Sequence, residues 1–374
     1  VSVTRLDAEL QRRLEALQSA GLLRRERVVE ESEYGVACSN LYLGPNGFGS
    51  GASRLISGTR PLHKTFEERV ATWLGTPSAL LFNSGTQANL GTISALVGKD
   101  DAVFSDQLNH ASLIDGVRLS RGERHVFPHN DVSALRRMLE SCGAPGLKLI
   151  VTEGIFSMDG DSAPLADLVD VAEQHGASLM VDEAHAVGVL GSEGQGAAEE
   201  AGVASRVAIR VGTCGKAMGG FGAFVAGSEV LREYLFNRAR AFVFTTALPT
   251  AVIEANLAGL ERVRAPEGRA KLWQNIERIA SGLRAAGWLR IAPDGAIFPI
   301  VVGTEDAALA LASAVEMRGF LVTAIRPPTV PPGTSRLRLT ASSDYDAAFI
   351  DDLVRAIVES AAELGITPPE HAHG

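Results

Sequence analysis

The sequence predicts an α/β protein: a mostly parallel sheet wrapped by helices, with a smaller α+β domain behind it and a helical arm in front. Three observations predict this. Between residues 49 and 263, short apolar runs alternate with amphipathic segments, as in a sheet whose parallel strands are joined by crossover helices. From residue 264 onward helices are paired with a few strands in a different order, which suggests a separate α+β domain. Ahead of both, Leu6, Leu10, Leu14 and Leu17 recur at helical spacing. The expected boundaries are an arm over 1–48, a large domain over 49–263 and a C-terminal domain over 264–374.

The first helix, over residues 4–25, has Thr4 and Asp7 as a capping pair and one apolar stripe to bury. Residues 79–82 read as a strand leading through a small-residue turn into the helix-like stretch 90–97. Strand-like runs follow at 101–104, 147–152, 178–181, 207–211 and 222–227. In the last domain a helix carrying Leu272, Ile276, Ile279 and Leu283 leads to a strand at 297–302. A further helix precedes a strand at 321–325, and another strand at 336–340 precedes a closing helix through Ile350, Leu353 and Ile357. The tail, 368–374, reads as disordered.

Composition narrows the function classes. With 46% apolar and 21% charged residues, the 374-residue chain has the make-up of an ordinary soluble protein with ample core. No apolar run reaches transmembrane length, and the first residues carry no signal-like apolar stretch. Cys38, Cys142 and Cys214 form neither a metal-ligand spacing nor an even disulfide set, which points to a reducing cytoplasm. A formal net charge of −9 argues against nucleic-acid binding.

Four stretches carry chemistry. In Thr213-Cys214-Gly215-Lys216-Ala217-Met218-Gly219-Gly220 a lysine sits on a small-residue loop between two strands, where a planar group could approach its amine. A solvated loop lysine is the plainer reading of that stretch alone. Asp182, in Val181-Asp182-Glu183-Ala184-His185, ends a buried strand, the place where open α/β sheets gather ligand groups. The same four letters occur in nucleotide-driven helicases, but the chain has no phosphate loop, since Lys216 is followed by Ala217. Phe82-Asn83-Ser84-Gly85-Thr86 turns from strand to helix start, an arrangement that either binds phosphate or is simply a helix capped by Ser84. His110, in Asn109-His110-Ala111-Ser112, could stack on a ring or be structural.

Together these pieces resemble the fold-type I pyridoxal-phosphate enzymes, and among them the α-oxoamine synthases, over residues 49–340. Gly49-Ser50-Gly51-Ala52-Ser53-Arg54-Leu55-Ile56-Ser57-Gly58 and Glu153-Gly154-Ile155-Phe156-Ser157-Met158-Asp159-Gly160-Asp161 look like that family's signatures. The resemblance implies an aminotransferase-like large domain with a mostly parallel seven-stranded sheet. It also implies a homodimer that condenses an amino acid with an acyl thioester, expelling carbon dioxide and thiol. Lys216 would hold pyridoxal phosphate covalently and take the α-proton, while Asp182 would face the ring nitrogen and keep it protonated. His110 would stack on the ring, and Ser157 and His185 would bond its phenolic oxygen. Gly85, Thr86 and Thr213 would hold the phosphate, and Thr245 and Thr246 would reach the phosphate of a neighbouring subunit.

Substrate contacts follow from the same resemblance: Arg338 as a carboxylate clamp, with Arg336 the competing guanidinium, and Thr329, Asn40 and Arg24 as further candidates. The stretch from Ala324 to Thr340 looks most like the member that joins L-alanine to a pimeloyl thioester, carried by coenzyme A or by an acyl carrier protein. The rivals are a glycine acyltransferase using acetyl-CoA, an aminotransferase of the same fold, and an aminotransferase-like regulator. The Gly-Ser-Gly-Ala-Ser-Arg stretch argues against the aminotransferase, and the absence of helix-turn-helix grammar before it argues against the regulator. One departure stands out: the family has an extra helical stretch between Gly44 and Phe48, and an aspartate where this chain has Leu41.

Overall fold

The first helix starts at Arg5, capped by Thr4, whose Oγ1 accepts from the Asp7 N–H at 3.1 Å. In the computed structural model, which describes residues 4–29, 37–42, 49–291 and 293–368, this helix ends at Ser19. That is short of the expected Arg25, because Gly21 adopts φ +68° and turns the chain into an extended segment. Leu6, Leu10 and Leu14 are buried, and each contributes about 1.5–3 kcal/mol to docking the helix. The shortened stretch after Gly44 and the tail 369–374 lie outside the described residues.

Strands β1 (Ser78–Phe82), β2 (Ala102–Asp106), β3 (Glu123–Phe127), β4 (Lys148–Glu153), β5 (Ser178–Asp182), β6 (Ile209–Thr213) and β7 (Ala223–Gly227) form a seven-stranded sheet. Its order is β1-β7-β6-β5-β4-β2-β3. Strand β7 runs antiparallel to β1 and β6, and the remaining pairs are parallel. Alternate residues feed two cores. Leu80, Phe82 and Val225 pack with the leucines of the first helix, while Leu81, Phe224 and Ala226 pack with Phe66 and Val70 of helix Pro61–Leu74. Strand β3 escapes the sequence reading because it is an edge strand. Glu123 and Arg124 are exposed there, so no apolar run marks it.

Because β1 and β6 both oppose β7, the C-terminal ends of β1, β4, β5 and β6 share one end of the sheet. Phe82 and Thr213 each pair with Ala223, and Asp182 pairs with both Glu153 and Val211. Parallel pairing thus brings residues far apart in sequence into one row.

The chain divides into two compact units, one of residues 1–154 with 163–264, the other of 155–162 with 265–374. The second unit has an antiparallel sheet of β8 (Ile297–Gly303), β9 (Thr323–Ile325) and β10 (Ser335–Thr340), ordered β8-β10-β9. Its core joins Ile276, Ile279 and Leu283 to Phe298, Leu337 and Leu353. The short stretch Ile155–Ser162 was expected in the large domain. It groups with the second unit because β10 and its surroundings satisfy its polar groups: Arg338 Nε donates to Ser157 O at 2.6 Å, and Ser162 N donates to Asp294 at 2.8 Å. No described helix is long and apolar enough to cross a membrane.

The Gly-Ser-Gly-Ala-Ser-Arg stretch ends in a buried charge cluster. Arg54, 3% exposed, pairs with Glu26 at 2.6 Å and Glu67 at 2.9 Å, and Arg232 and Lys64 join the same two carboxylates. Burial pushes the Glu26 carboxyl up, but Arg54, Arg232 and Lys64 outweigh it and hold the group down at about 2. A depressed carboxyl contributes stability that is present above the ordinary carboxylate range and lost as pH falls toward about 2. Arg54→Met leaves Glu67 buried with less compensation. It is expected to lower unfolding stability by about 3–5 kcal/mol, measured by urea denaturation at neutral pH.

Candidate active site

The site is built at the shared end of the sheet. Helix Gly85–Leu96 starts directly after β1 because Ser84 caps it, its Oγ accepting from Gln87 N at 3.2 Å. The N–H groups of Gly85 and Thr86 have no acceptor within the helix and carry the positive end of its dipole. A Cβ on Gly85 would stand 2.9 Å from Thr213 Cγ2, so glycine lets this turn approach the end of β6. Thr213 Oγ1 is buried and has no hydrogen-bond partner. Ser84 is therefore a cap, and the turn behind it still offers donors to an anion.

A cavity of about 180 Å³ opens here, lined by Lys216, Asp182, His185 and His110 as well as by Gly85, Thr86 and Thr213. Asn89, Ser112, Glu153 and Ala184 complete the lining. The Lys216 loop is held by its own backbone: Cys214 N donates to Gly222 O at 2.9 Å, and Gly220 N to Cys214 O at 2.7 Å. Buried Asn256 clasps Phe221 N and O at 2.9 and 2.8 Å, and Arg262 donates to Met218 O at 2.9 Å. Lys216 is itself exposed, on a loop whose backbone is fixed and whose lysine lines the cavity. Burial pushes the neighbouring Cys214 thiol up to about 12, which keeps it un-ionised and unreactive.

Asp182 and Glu183, adjacent in sequence, do different work because successive side chains leave a strand on opposite faces. Asp182 lines the cavity and accepts from Asn89 Nδ2 at 2.7 Å and from Ala184 N at 3.0 Å. Glu183 accepts from Ala197 N at 2.7 Å and Ala198 N at 3.0 Å, near Arg210 at 3.6 Å. Burial raises its pKa, against the pull of Arg210 and those two N–H groups. His110 caps helix Ala111–Leu119, with Nδ1 accepting from Ser112 N, and its own N–H donates to Glu153 Oε1 at 2.6 Å.

The other sequence candidates fall elsewhere. Thr245 Oγ1 and Thr246 O accept from Asn83 Nδ2 at 3.3 and 2.8 Å, and neither residue lines the cavity. Arg24 is exposed and its backbone is bracketed by Asn237, while Asn40 N donates to Gly51 O at 2.6 Å. Ser157, Thr329 and Arg338 belong to the second unit. Arg336, buried there, is engaged by Asp159 and by the carbonyls of Thr334 and Met158. Sequence reasoning missed Asn89, Ser112 and Glu153 as parts of the cavity. Each is polar, Ser112 and Glu153 lie within stretches already singled out and Asn89 follows one three residues on, which was the available signal.

The lining fits pyridoxal phosphate. A helix N-terminus and an orphaned buried hydroxyl suit its phosphate, a carboxylate suits its ring nitrogen, and a lysine suits its aldehyde. The Aminotransferase class I and II family model matches residues 26–357. An 8-amino-7-oxononanoate synthase of Citrifermentans bemidjiense is 45% identical over 94% of this chain and 98% of its own. Among solved structures, SPT with PLP superposes with a TM-score of 0.82 at 33% identity, over 85% of this chain and 80% of that one. An 8-amino-7-oxononanoate synthase from Francisella tularensis gives 0.71 at 30% identity, over 84% and 90%. On the match over most of its length and on this site, the chain belongs to the aminotransferase class I and II family and, within it, to the α-oxoamine synthases.

Proposed function

We propose that this chain joins L-alanine to a pimeloyl thioester, giving 8-amino-7-oxononanoate, carbon dioxide and free thiol, in biotin biosynthesis. The observation that carries the reading is the convergence of Lys216, Asp182, His110 and the Gly85–Thr86 turn on one cavity, in a chain 45% identical to a synthase of that name. When bound, pyridoxal phosphate supplies an aldehyde that links to amines and an electron-poor ring that takes up charge from the substrate Cα.

This chain's residues do the rest. The N–H groups of Gly85 and Thr86 and the Thr213 hydroxyl hold the phosphate, and Asp182 keeps the ring nitrogen protonated. His110 covers the ring, and His185 bonds at the phenolic oxygen. Lys216 Nζ takes the α-proton of alanine. Alanine Cα bonds to the thioester carbonyl carbon and the thiolate leaves; the Cα–carboxylate bond then breaks to release carbon dioxide, and Cα takes up a proton in its place.

Further roles rest on the sequence resemblance alone. They are Ser157 at the phenolic oxygen, Arg338 as the carboxylate clamp, Thr329, Asn40 and Arg24 as substrate contacts, and Thr245 and Thr246 at the phosphate of a second copy in a cytoplasmic homodimer. The donor is carried by coenzyme A or by an acyl carrier protein.

Released thiol, measured with L-alanine and glycine each paired with pimeloyl-CoA and acetyl-CoA, tests the reading. Alanine with pimeloyl-CoA is expected to give the highest kcat/KM. The preference for alanine should be modest, since one methyl in an apolar pocket is worth only ~1–3 kcal/mol. Glycine with acetyl-CoA as the best pair would replace this reading with a glycine acyltransferase, leaving the roles of Lys216, Asp182 and His110 in place.

A further inference from the structure

Resting on that functional reading, we propose that Asn89 and Ser112 are positioning residues that lock the Asp182 carboxylate and the His110 ring to one another through a single hydrogen-bonded chain. The ionised Asp182 carboxylate only accepts, so the Asn89 amide turns Nδ2 toward it, at 2.7 Å. The same Nδ2 donates to Ser112 Oγ at 2.9 Å. Ser112 Oγ lies 2.8 Å from His110 Nδ1, and the Ser112 N–H donates to that nitrogen at 3.2 Å. Nδ1 is therefore an acceptor, and the network assigns the proton of the neutral imidazole to Nε2.

Packing puts the chain there. Helices Gly85–Leu96 and Ala111–Leu119 come so close that a Cβ on Gly116 would lie 3.2 Å from Asn89 O and 3.0 Å from Ile93 Cδ1. One turn earlier on the second helix, Ser112 meets Asn89. Asn89 is 1% exposed, Ser112 4% and Asp182 5%. The arrangement leaves Asn89 Oδ1 buried with no partner, a cost that an apolar side chain of similar size would avoid. The amide is thus better explained by what it orients than by what it stabilises. The two groups it joins must meet the same ring, one at its nitrogen and one over its face, and small misplacements of reacting groups cost rate steeply.

Two readouts test this. In cofactor-free protein labelled with 15N-histidine, His110 is assigned by its loss in His110→Gln. Wild-type protein is expected to show the Nε2–H form. Both alanine variants keep the backbone N–H at position 112 that donates to Nδ1, so the tautomer should persist. The Nδ1 resonance should instead move and broaden in Asn89→Ala and Ser112→Ala, while Ser112→Thr, which keeps the hydroxyl, should restore it. In the loaded enzyme, kcat should fall roughly 10–100-fold in Ser112→Ala, the scale on which geometric misplacement acts, and recover in Ser112→Thr. The double variant Asn89→Ala/Ser112→Ala should lose no more than the worse single variant, since both cut one chain. An unchanged His110 Nδ1 resonance in both alanine variants overturns the proposal, and so does a fully additive double variant. Failure of the functional reading looks different: wild-type protein would not attach pyridoxal phosphate to Lys216, whatever the histidine spectra show.

Discussion

Lys216→Ala should purify as a folded protein whose turnover has fallen by more than about 10⁴-fold, because one substitution removes both the amine that attaches the cofactor and the acceptor of the α-proton. The loop it sits on is closed by its own backbone bonds and by Asn256 and Arg262, none of which uses the lysine side chain. Unfolding stability should therefore stay near wild type. Wild-type protein incubated with pyridoxal phosphate, reduced with borohydride and mapped by mass spectrometry should carry the label on Lys216. A label on Lys64, Lys99, Lys148 or Lys271 would falsify the assignment.

Asp182→Asn should cost roughly 10³-fold in kcat, about 4 kcal/mol of barrier, with the fold retained. Two effects combine. A neutral amide cannot stabilise positive charge on a ring nitrogen. The amide also cannot replace the carboxylate's bonds, since Asn89 Nδ2 and Ala184 N both donate to Asp182 and an asparagine has only one acceptor oxygen. One donor is left facing the new NH₂ group, so the side chain turns away from its native orientation. Exchange of the alanine α-proton with solvent deuterium, followed by NMR, isolates the step. Near-normal exchange in Asp182→Asn would remove the electrostatic role from this residue.

The buried Glu183 beside it makes a useful contrast. Its oxygens serve the N–H groups of Ala197 and Ala198, and it lies against Arg210 rather than the cavity. Two neighbouring acids in one motif therefore separate into a cavity-lining group and a structural one. The sequence singled out Asp182 at the end of its strand, and the structure shows where Glu183 goes instead.

Much of the fold and most of the cavity were legible from local chemistry. The buried parallel strands show as short apolar runs, the leucine stripe of the first helix shows at its proper spacing, and the candidates Lys216, Asp182, His185, His110, Gly85, Thr86 and Thr213 all line one cavity. These signals survive in sequence because burial and backbone geometry act residue by residue. Edge strand β3, with Glu123 and Arg124 exposed, left no such signal. The membership of Ile155–Ser162 in the second unit left none either, because it depends on partners such as Asp294 and Arg338 more than a hundred residues away in sequence. Only the tertiary structure could join Asp182 to His110 through Asn89 and Ser112. The close approach of two helices at Gly116 and the pairing of β5 with β4 set those distances, and neither is encoded in any local stretch of the chain.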